Sequence, residues 1–132
     1  MRKDIAMPMT AQAQTESREA EVVTKAAVRV AERLDLSNKV LAKVLGLSEA
    51  SASRMRHGSY SLQPGQKSFE LAVLFIRLYR SLDAIVGGDD GVARAWLRNR
   101  NTVLDAEPIK RMQSIAGLLN VIDYLDARRA LV

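Results

Sequence analysis

The sequence contains no cysteine, three prolines and one histidine, and only 5% of its 132 residues are aromatic. The lack of cysteine excludes disulfide bonds, thiol nucleophiles and thiolate metal sites, and it fits a reducing cytosol. No apolar run approaches the ~20 residues that a membrane helix needs, and residues 1–15 lack the continuous apolar core of a signal peptide. We therefore expect a cytoplasmic protein with no membrane partner, which begins with a mobile polar segment over residues 1–15.

Aliphatic and basic residues are what the chain has in quantity, with 48% hydrophobic residues and a net charge of +5. Sparse glycine and proline favour helices joined by short loops, and no strand-like alternation of apolar and polar residues persists. The sequence thus predicts an all-α fold with one domain over residues 16–62 and a second helical domain over residues 63–132. The positive charge favours an acidic partner, of which nucleic acid is the commonest.

The stretch from residue 37 to residue 58 predicts two short helices around a tight turn. Residues 38–45 have a helical apolar spacing, and Gly46 follows where a helix can end in the left-handed conformation. Ser48 can then cap a second helix over residues 49–57, which Gly58 ends. This arrangement is a helix-turn-helix, in which the second helix enters the DNA major groove.

The outward positions of this element supply the predicted DNA contacts. Arg54 can pair with both guanine acceptors, Ser51 and Ser53 can bond a phosphate or a base, and Ala50 can touch a thymine methyl group. The alternative is a helical hairpin that only packs, with solvated arginines. The full predicted set is Asn38, Lys39, Lys43, Ser48, Glu49, Ala50, Ser51, Ser53, Arg54 and Arg56.

Apolar spacing predicts further helices over residues 16–34, 66–86, 91–98 and 115–129. Pro108 marks the possible start of another helix, and Thr15 or Ser17 is the expected cap of the first helix. Trp96 is expected in the core beside Val92. The expected buried face of the last helix consists of Ile115, Leu118, Leu119, Ile122 and Leu125.

The helix over residues 66–86 is apolar beyond one stripe, because Val73 and Ile76 lie outside the centre of its main face. A helix of this kind is either buried between two subdomains or forms a homodimer contact, and the two interpretations are compatible. We predict a dimer contact at Val73, Ile76 and Arg80.

The sequence offers little for catalysis. The only histidine, His57, has no partner in sequence for acid–base or metal chemistry and simply favours a helix end. The carboxylate pairs are better explained as helix caps or exposed faces. No glycine-rich phosphate loop is present, so we predict a protein that is not an enzyme and has no cofactor and no metal site.

The helix-turn-helix segment resembles that of the Xre/Cro repressors. The small Ala42, the turn Gly46, the capping Ser48 and the arginine-rich end closed by Gly58 match that family's pattern, whereas the family often has Gln where Asn38 stands. The second half resembles the toxin-binding domain of Xre/MbcA/ParS antitoxins. The matching residues are Ala93-Arg94-Ala95-Trp96-Leu97, Asn101, Leu104, Pro108, Gly117 and Val121, while Arg100 and Asp105-Ala106 stand where the family has Pro and a Gly pair.

This second resemblance implies a protein partner, a RES-domain toxin that consumes NAD or transfers ADP-ribose. In that family the C-terminal region of the antitoxin covers or enters the toxin's active site. A cationic pair also suits a pocket built for phosphates, although basic residues in a last helical turn equally complement the helix dipole. The residues that would serve here are Arg128, Arg129, Ala130, Leu131 and Val132.

The favoured hypothesis is a homodimeric antitoxin that neutralises its toxin, represses its own operon through operator DNA, and joins the toxin in a larger hetero-oligomer. A stand-alone dimeric repressor without a toxin partner remains the alternative. A helical adaptor that binds only proteins is a third possibility.

Overall fold

The computed structural model describes residues 10–131, and this part of the chain forms seven helices and no β-strand. The predicted all-α class is confirmed. The helices are α1 (Ala11–Arg33), α2 (Asn38–Leu45), α3 (Glu49–Arg56), α4 (Lys67–Ile85), α5 (Asp90–Arg98), α6 (Pro108–Arg111) and α7 (Ile115–Arg129).

Helix α1 begins at Ala11, five residues before the predicted start. Thr10 caps it by accepting a hydrogen bond from the Ala13 amide at 3.0 Å, whereas Thr15 donates its hydroxyl to the carbonyl oxygen of Ala11 at 2.9 Å. Residues 11–15 are therefore helical, whereas the sequence predicted no helix before residue 16. Their side chains are almost all exposed, so they carry no apolar periodicity that would have indicated a helix. The rest of the predicted mobile segment, residues 1–9, lies outside the described residues.

Helix α4 is the centre of the fold and packs against α1, α2 and α7. Phe75, Leu78 and Leu82 on α4 have no exposed surface. Each buried side chain of this size contributes roughly 1.5–3 kcal/mol to stability, so α4 holds the two halves of the chain on one continuous hydrophobic core.

The buried face of α7 differs from the predicted one. Leu118, Ile122 and Leu125 are buried, but Ile115 and Leu119 are 50% and 42% exposed. The face turned inward includes Gly117 and Val121 instead. Gly117 allows this because a Cβ there would lie 1.8 Å from the carbonyl oxygen of Arg111 in α6, so only glycine permits the close approach.

The loop between α5 and α6 is closed by Asn101. Its side-chain oxygen accepts hydrogen bonds from the amides of Val103 and Leu104, at 2.9 and 3.0 Å, and its own amide donates to the carbonyl oxygen of Ala106 at 2.9 Å. Asp105 adopts a φ of +56°, the left-handed region that glycine favours. An aspartate thus makes the turn for which the resembling family uses glycine.

Candidate nucleic-acid interface and C-terminal groove

Helices α2 and α3 are joined by the turn that the sequence predicted. Ser37 caps α2, Gly46 follows it with a φ of +67°, and Ser48 caps α3 by accepting from the Ser51 amide at 3.0 Å. The side chains on the inner side of α3 are buried. Ala52 has no exposed surface, and Met55 is only 2% exposed. This packing fixes α3 against the core and leaves its other side to solvent.

A row of hydrogen bonds runs along the outer side of α3. The Ser48 hydroxyl donates to Ser51 Oγ at 3.0 Å, and Arg54 Nη2 donates to the same oxygen at 3.1 Å. Ser51 therefore orients the Arg54 guanidinium while the arginine remains exposed. A guanidinium held on the exposed side of a helix-turn-helix recognition helix is suited to bidentate contact with a guanine.

Most other predicted DNA-contacting residues lie at the surface. Lys39 and Lys43 on α2 are exposed, as are Ser48, Glu49 and Ala50 at the start of α3. The structure leaves four predicted positions half-buried, and these are Asn38, Ser51, Ser53 and Arg56.

Arg56 has a different position from the predicted one. It is half-buried, its Nη2 donates to the carbonyl oxygen of Leu36, and its Nε is buried with no hydrogen-bond partner among the described residues. The guanidinium is therefore bound in part by a backbone carbonyl group of the same chain. Spacing along α3 places Arg56 near the surface, but it cannot indicate a carbonyl partner twenty residues away in sequence.

Arg56 is one of three arginines that bind the loop between α1 and α2. Arg94 Nε donates to the carbonyl oxygen of Arg33 at 2.8 Å, and Arg98 Nη2 donates to those of Leu34 and Asp35 at 3.0 and 2.8 Å. With Arg56 on Leu36, four consecutive carbonyl groups are bound by arginine side chains. Sequence reasoning missed this contact because its acceptors are backbone atoms, which leave no pattern in the residue types.

A buried tyrosine adds a second link between α1, α4 and α5. Tyr79 donates its hydroxyl to Asp90 Oδ1 at 2.8 Å and accepts from Arg33 Nη1 at 3.1 Å. Burial raises the pKa of Tyr79, and the hydrogen bond from Arg33 opposes that rise. The phenol hydroxyl of Tyr79 therefore keeps its proton near neutral pH and continues to donate to Asp90.

Helix α5 also contacts α7 through aromatic stacking. The rings of Trp96 and Tyr124 lie 6.1 Å apart between centroids with 19° between their planes. Trp96 is half-buried at the margin of the core, whereas Val92, its expected neighbour, is 50% exposed. The tryptophan therefore packs on Tyr124 of α7.

The predicted dimer contact and part of the predicted toxin contact line one groove. This α1–α4–α7 groove has a volume of about 640 Å³. It is lined by Val22, Val23 and Ala26 of α1, by Val73, Ile76, Arg77, Arg80 and Ser81 of α4, and by Asp126 and Arg129 of α7.

Asp126 is the acidic residue of this groove, and both of its carboxylate oxygens accept hydrogen bonds. Asp126 Oδ1 accepts from the Ser81 hydroxyl at 2.7 Å, and Oδ2 accepts from Arg77 Nη2 at 2.5 Å. The Ser81 hydrogen bond is the main cause that lowers the pKa of Asp126, burial opposes it, and Arg77 and Arg129 lower the pKa further. Asp126 is therefore an ionised link between α4 and α7.

Residues 128–131 lie outside the core. Arg128, Arg129 and Ala130 are exposed, and Leu131 is 83% exposed. Val132, the fifth residue of the predicted toxin contact, lies outside the described residues.

His57 Nδ1 lies 2.8 Å from the carbonyl oxygen of Ser53, so it closes the end of α3. No cluster of three or more acidic, histidine or cysteine side chains that could hold a metal ion occurs between residues 10 and 131. Over the same range, no helix combines the length and the hydropathy of a membrane span.

Comparisons with known proteins match both halves of the chain. Residues 13–77 match a family model described as the antitoxin Xre-like helix-turn-helix domain. Residues 81–130 match one described as the antitoxin Xre/MbcA/ParS C-terminal toxin-binding domain. A search of curated proteins finds no match. The boundary between the two matched ranges falls within α4.

Proposed function

Because the chain belongs to the Xre/MbcA/ParS-type antitoxins, we propose that its toxin is a RES-domain protein that consumes NAD or transfers ADP-ribose. The two matched domains make the chain the antitoxin of a toxin–antitoxin system, with a DNA-binding helix-turn-helix domain and a toxin-binding domain. Both are regulatory, non-enzymatic domains. What we propose beyond this is the identity of the toxin and the way in which the antitoxin neutralises it.

The antitoxin neutralises this toxin by covering its active site with residues 128–132. The observation that carries this proposal is that the end of α7 offers two exposed arginines and the 83% exposed Leu131, none of which stabilises the core. Guanidinium groups bind phosphate oxygens in a planar, bidentate manner, so this end of the chain fits a pocket that holds NAD.

Co-expression tests the proposal. The protein encoded beside the antitoxin gene is expressed with the full chain or with a chain that ends at Ala127. We expect the full chain to restore growth and the shortened chain to fail, because the deletion removes the proposed contact and takes from α7 only the exposed Arg128 and Arg129. Operator binding by the shortened chain is the control for folding. If the shortened chain restores growth as well as the full one, neutralisation does not depend on residues 128–132.

The same chain represses its own operon as a homodimer, with α3 in the major groove. Arg54 reads a guanine, and Lys39, Lys43 and Asn38 contact phosphates. The remaining proposed contacts are Ser48, Glu49, Ala50, Ser51 and Ser53 at the start of α3. The exposed Arg54 held by Ser51 supports this assignment, whereas Arg56 is partly held by its hydrogen bond to the carbonyl oxygen of Leu36.

Gel shifts on DNA from upstream of the antitoxin gene test this part. Contacts between lysine or arginine and phosphate release counterions, so the logarithm of the affinity should fall linearly with that of the salt concentration. An affinity that does not change with salt would contradict the phosphate contacts.

A further inference from the structure

The floor of the α1–α4–α7 groove is apolar and open to solvent. Val22 on α1 is 65% exposed and Val73 on α4 is 46% exposed, with Ala26 and Ile76 half-buried between them. Burial of apolar surface is favourable in proportion to its area, so this floor favours association with a partner that has apolar side chains.

The rim of the groove is basic. It carries three arginines, Arg77, Arg80 and Arg129, against the single carboxylate of Asp126. That carboxylate is already bound by Ser81 and Arg77. Among the described residues, neither Arg80 nor Arg129 has an ion-pair partner within 4.0 Å. The groove therefore carries one carboxylate against three guanidinium groups, and within 4.0 Å that carboxylate pairs only with Arg77.

We propose that this groove binds an acidic segment of the toxin that carries apolar side chains. Charge complementarity favours such a segment over a second copy of this chain, and therefore over the dimer contact predicted at Val73, Ile76 and Arg80, since a symmetric contact would bring two sets of three arginines together. The groove is also continuous with the toxin-binding domain, because Ser81, Asp126 and Arg129 lie within the matched residues 81–130. This inference rests on the antitoxin function and adds a second contact to the one proposed for residues 128–132.

The groove extends the toxin contact beyond the toxin-binding domain. Val22 and Ala26 belong to α1, within the matched helix-turn-helix domain. The toxin then contacts both domains of the antitoxin at once. No residue of α2 or α3 lines the groove, so the toxin leaves the outer side of the recognition helix accessible to DNA.

Two single variants in the groove, one on α4 and one on α1, test the inference. Arg80→Glu reverses a rim charge, and Val22→Asp places a carboxylate on the apolar floor; both side chains are exposed, so neither change removes a core contact. Lys67→Glu is the matched control, because it reverses an exposed charge on the same helix outside the groove. The affinity for the toxin encoded beside the antitoxin gene is measured by calorimetry, and the mass of the antitoxin alone by light scattering.

We expect Arg80→Glu and Val22→Asp each to weaken toxin binding by about tenfold or more, with the mass of the free antitoxin and its operator affinity unchanged. Lys67→Glu should bind the toxin as the unmodified chain does. Unchanged toxin affinity in both groove variants would overturn the inference. A lower mass of the free antitoxin in these variants would also overturn it, since a second copy then occupies the groove. If the unmodified chain does not bind the toxin, the proposed function itself fails.

Discussion

The guanidinium of Arg98 donates to the carbonyl oxygen of Asp35 at 2.8 Å, across 63 residues of sequence. Asp35 has a φ of +54° and lies in the loop that joins α1 to α2. Arg98 also binds the carbonyl oxygen of Leu34, and it belongs to α5, within the toxin-binding domain. The toxin-binding domain thus contacts the loop that leads into the helix-turn-helix.

Replacement of Arg98 by alanine should lower the free energy of unfolding by about 1–3 kcal/mol. The variant leaves the carbonyl groups of Leu34 and Asp35 without their donor, and hydrogen bonds from charged groups contribute in this range. Denaturant unfolding measures the change. Arg100→Ala is the control, because Arg100 forms only an exposed ion pair with Asp105 and should change stability by less than about 1 kcal/mol. Equal losses in the two variants would contradict the structural role of Arg98.

Replacement of Gly117 by alanine should be strongly destabilising, by about 3 kcal/mol or more. The added Cβ would lie 1.8 Å from the carbonyl oxygen of Arg111, a backbone atom that moves only if α6 moves. Thermal unfolding measures the loss, and Asn120→Ala, at an exposed position of the same helix, should stay within about 0.5 kcal/mol of the unmodified chain. A stable Gly117→Ala variant would show that α6 and α7 do not approach this closely.

Replacement of Arg54 by alanine should cost about 1–3 kcal/mol of discrimination at one operator base pair. The reason is that Arg54 is the exposed guanidinium that Ser51 orients on the outer side of α3. Operator variants with single base changes, measured by fluorescence anisotropy, identify the base pair. Lys67→Ala should leave all affinities unchanged. Uniform weakening on every sequence would instead assign Arg54 to a phosphate.

Acid should destabilise the chain partly through Asp126. The hydrogen bond from Ser81 and the charge of Arg77 lower the pKa of Asp126 in the folded state below the unfolded value of about 3.9. Its contribution to stability is therefore complete above roughly pH 5 and is lost as the pH falls through the folded pKa. The Asp126→Asn variant should show a shallower loss of unfolding free energy between pH 5 and pH 2.5 than the unmodified chain. Parallel curves for the two proteins would contradict this link.

The helix-turn-helix was predictable because its signals are local. Ser37, Gly46 and Ser48 each fix a helix end through their own backbone or side chain, and α2 has the predicted bounds of Asn38–Leu45. The start of α1 at Ala11 was not predictable in this way, because its first two turns are polar and exposed.

The remaining differences depend on contacts between distant elements. Helix α7 is rotated so that Gly117 approaches α6, which exposes Ile115 and Leu119. Arg56 points inward because the carbonyl oxygen of Leu36 lies within its reach. The surfaces predicted separately for a dimer and for a toxin meet at one groove because α4 and α7 pack side by side. The spacing of residues within one helix does not contain this information.

The central claim is that one chain carries both a toxin-neutralising C-terminal region and a DNA-reading helix. Its most direct test is the growth rate of cells that express the protein encoded beside the antitoxin gene, with the unmodified chain or with Arg54→Ala supplied from a promoter that the antitoxin does not control. We predict equal and full restoration of growth by both chains, since Arg54 lies outside every proposed toxin contact. Growth arrest that persists with the unmodified chain would contradict the account.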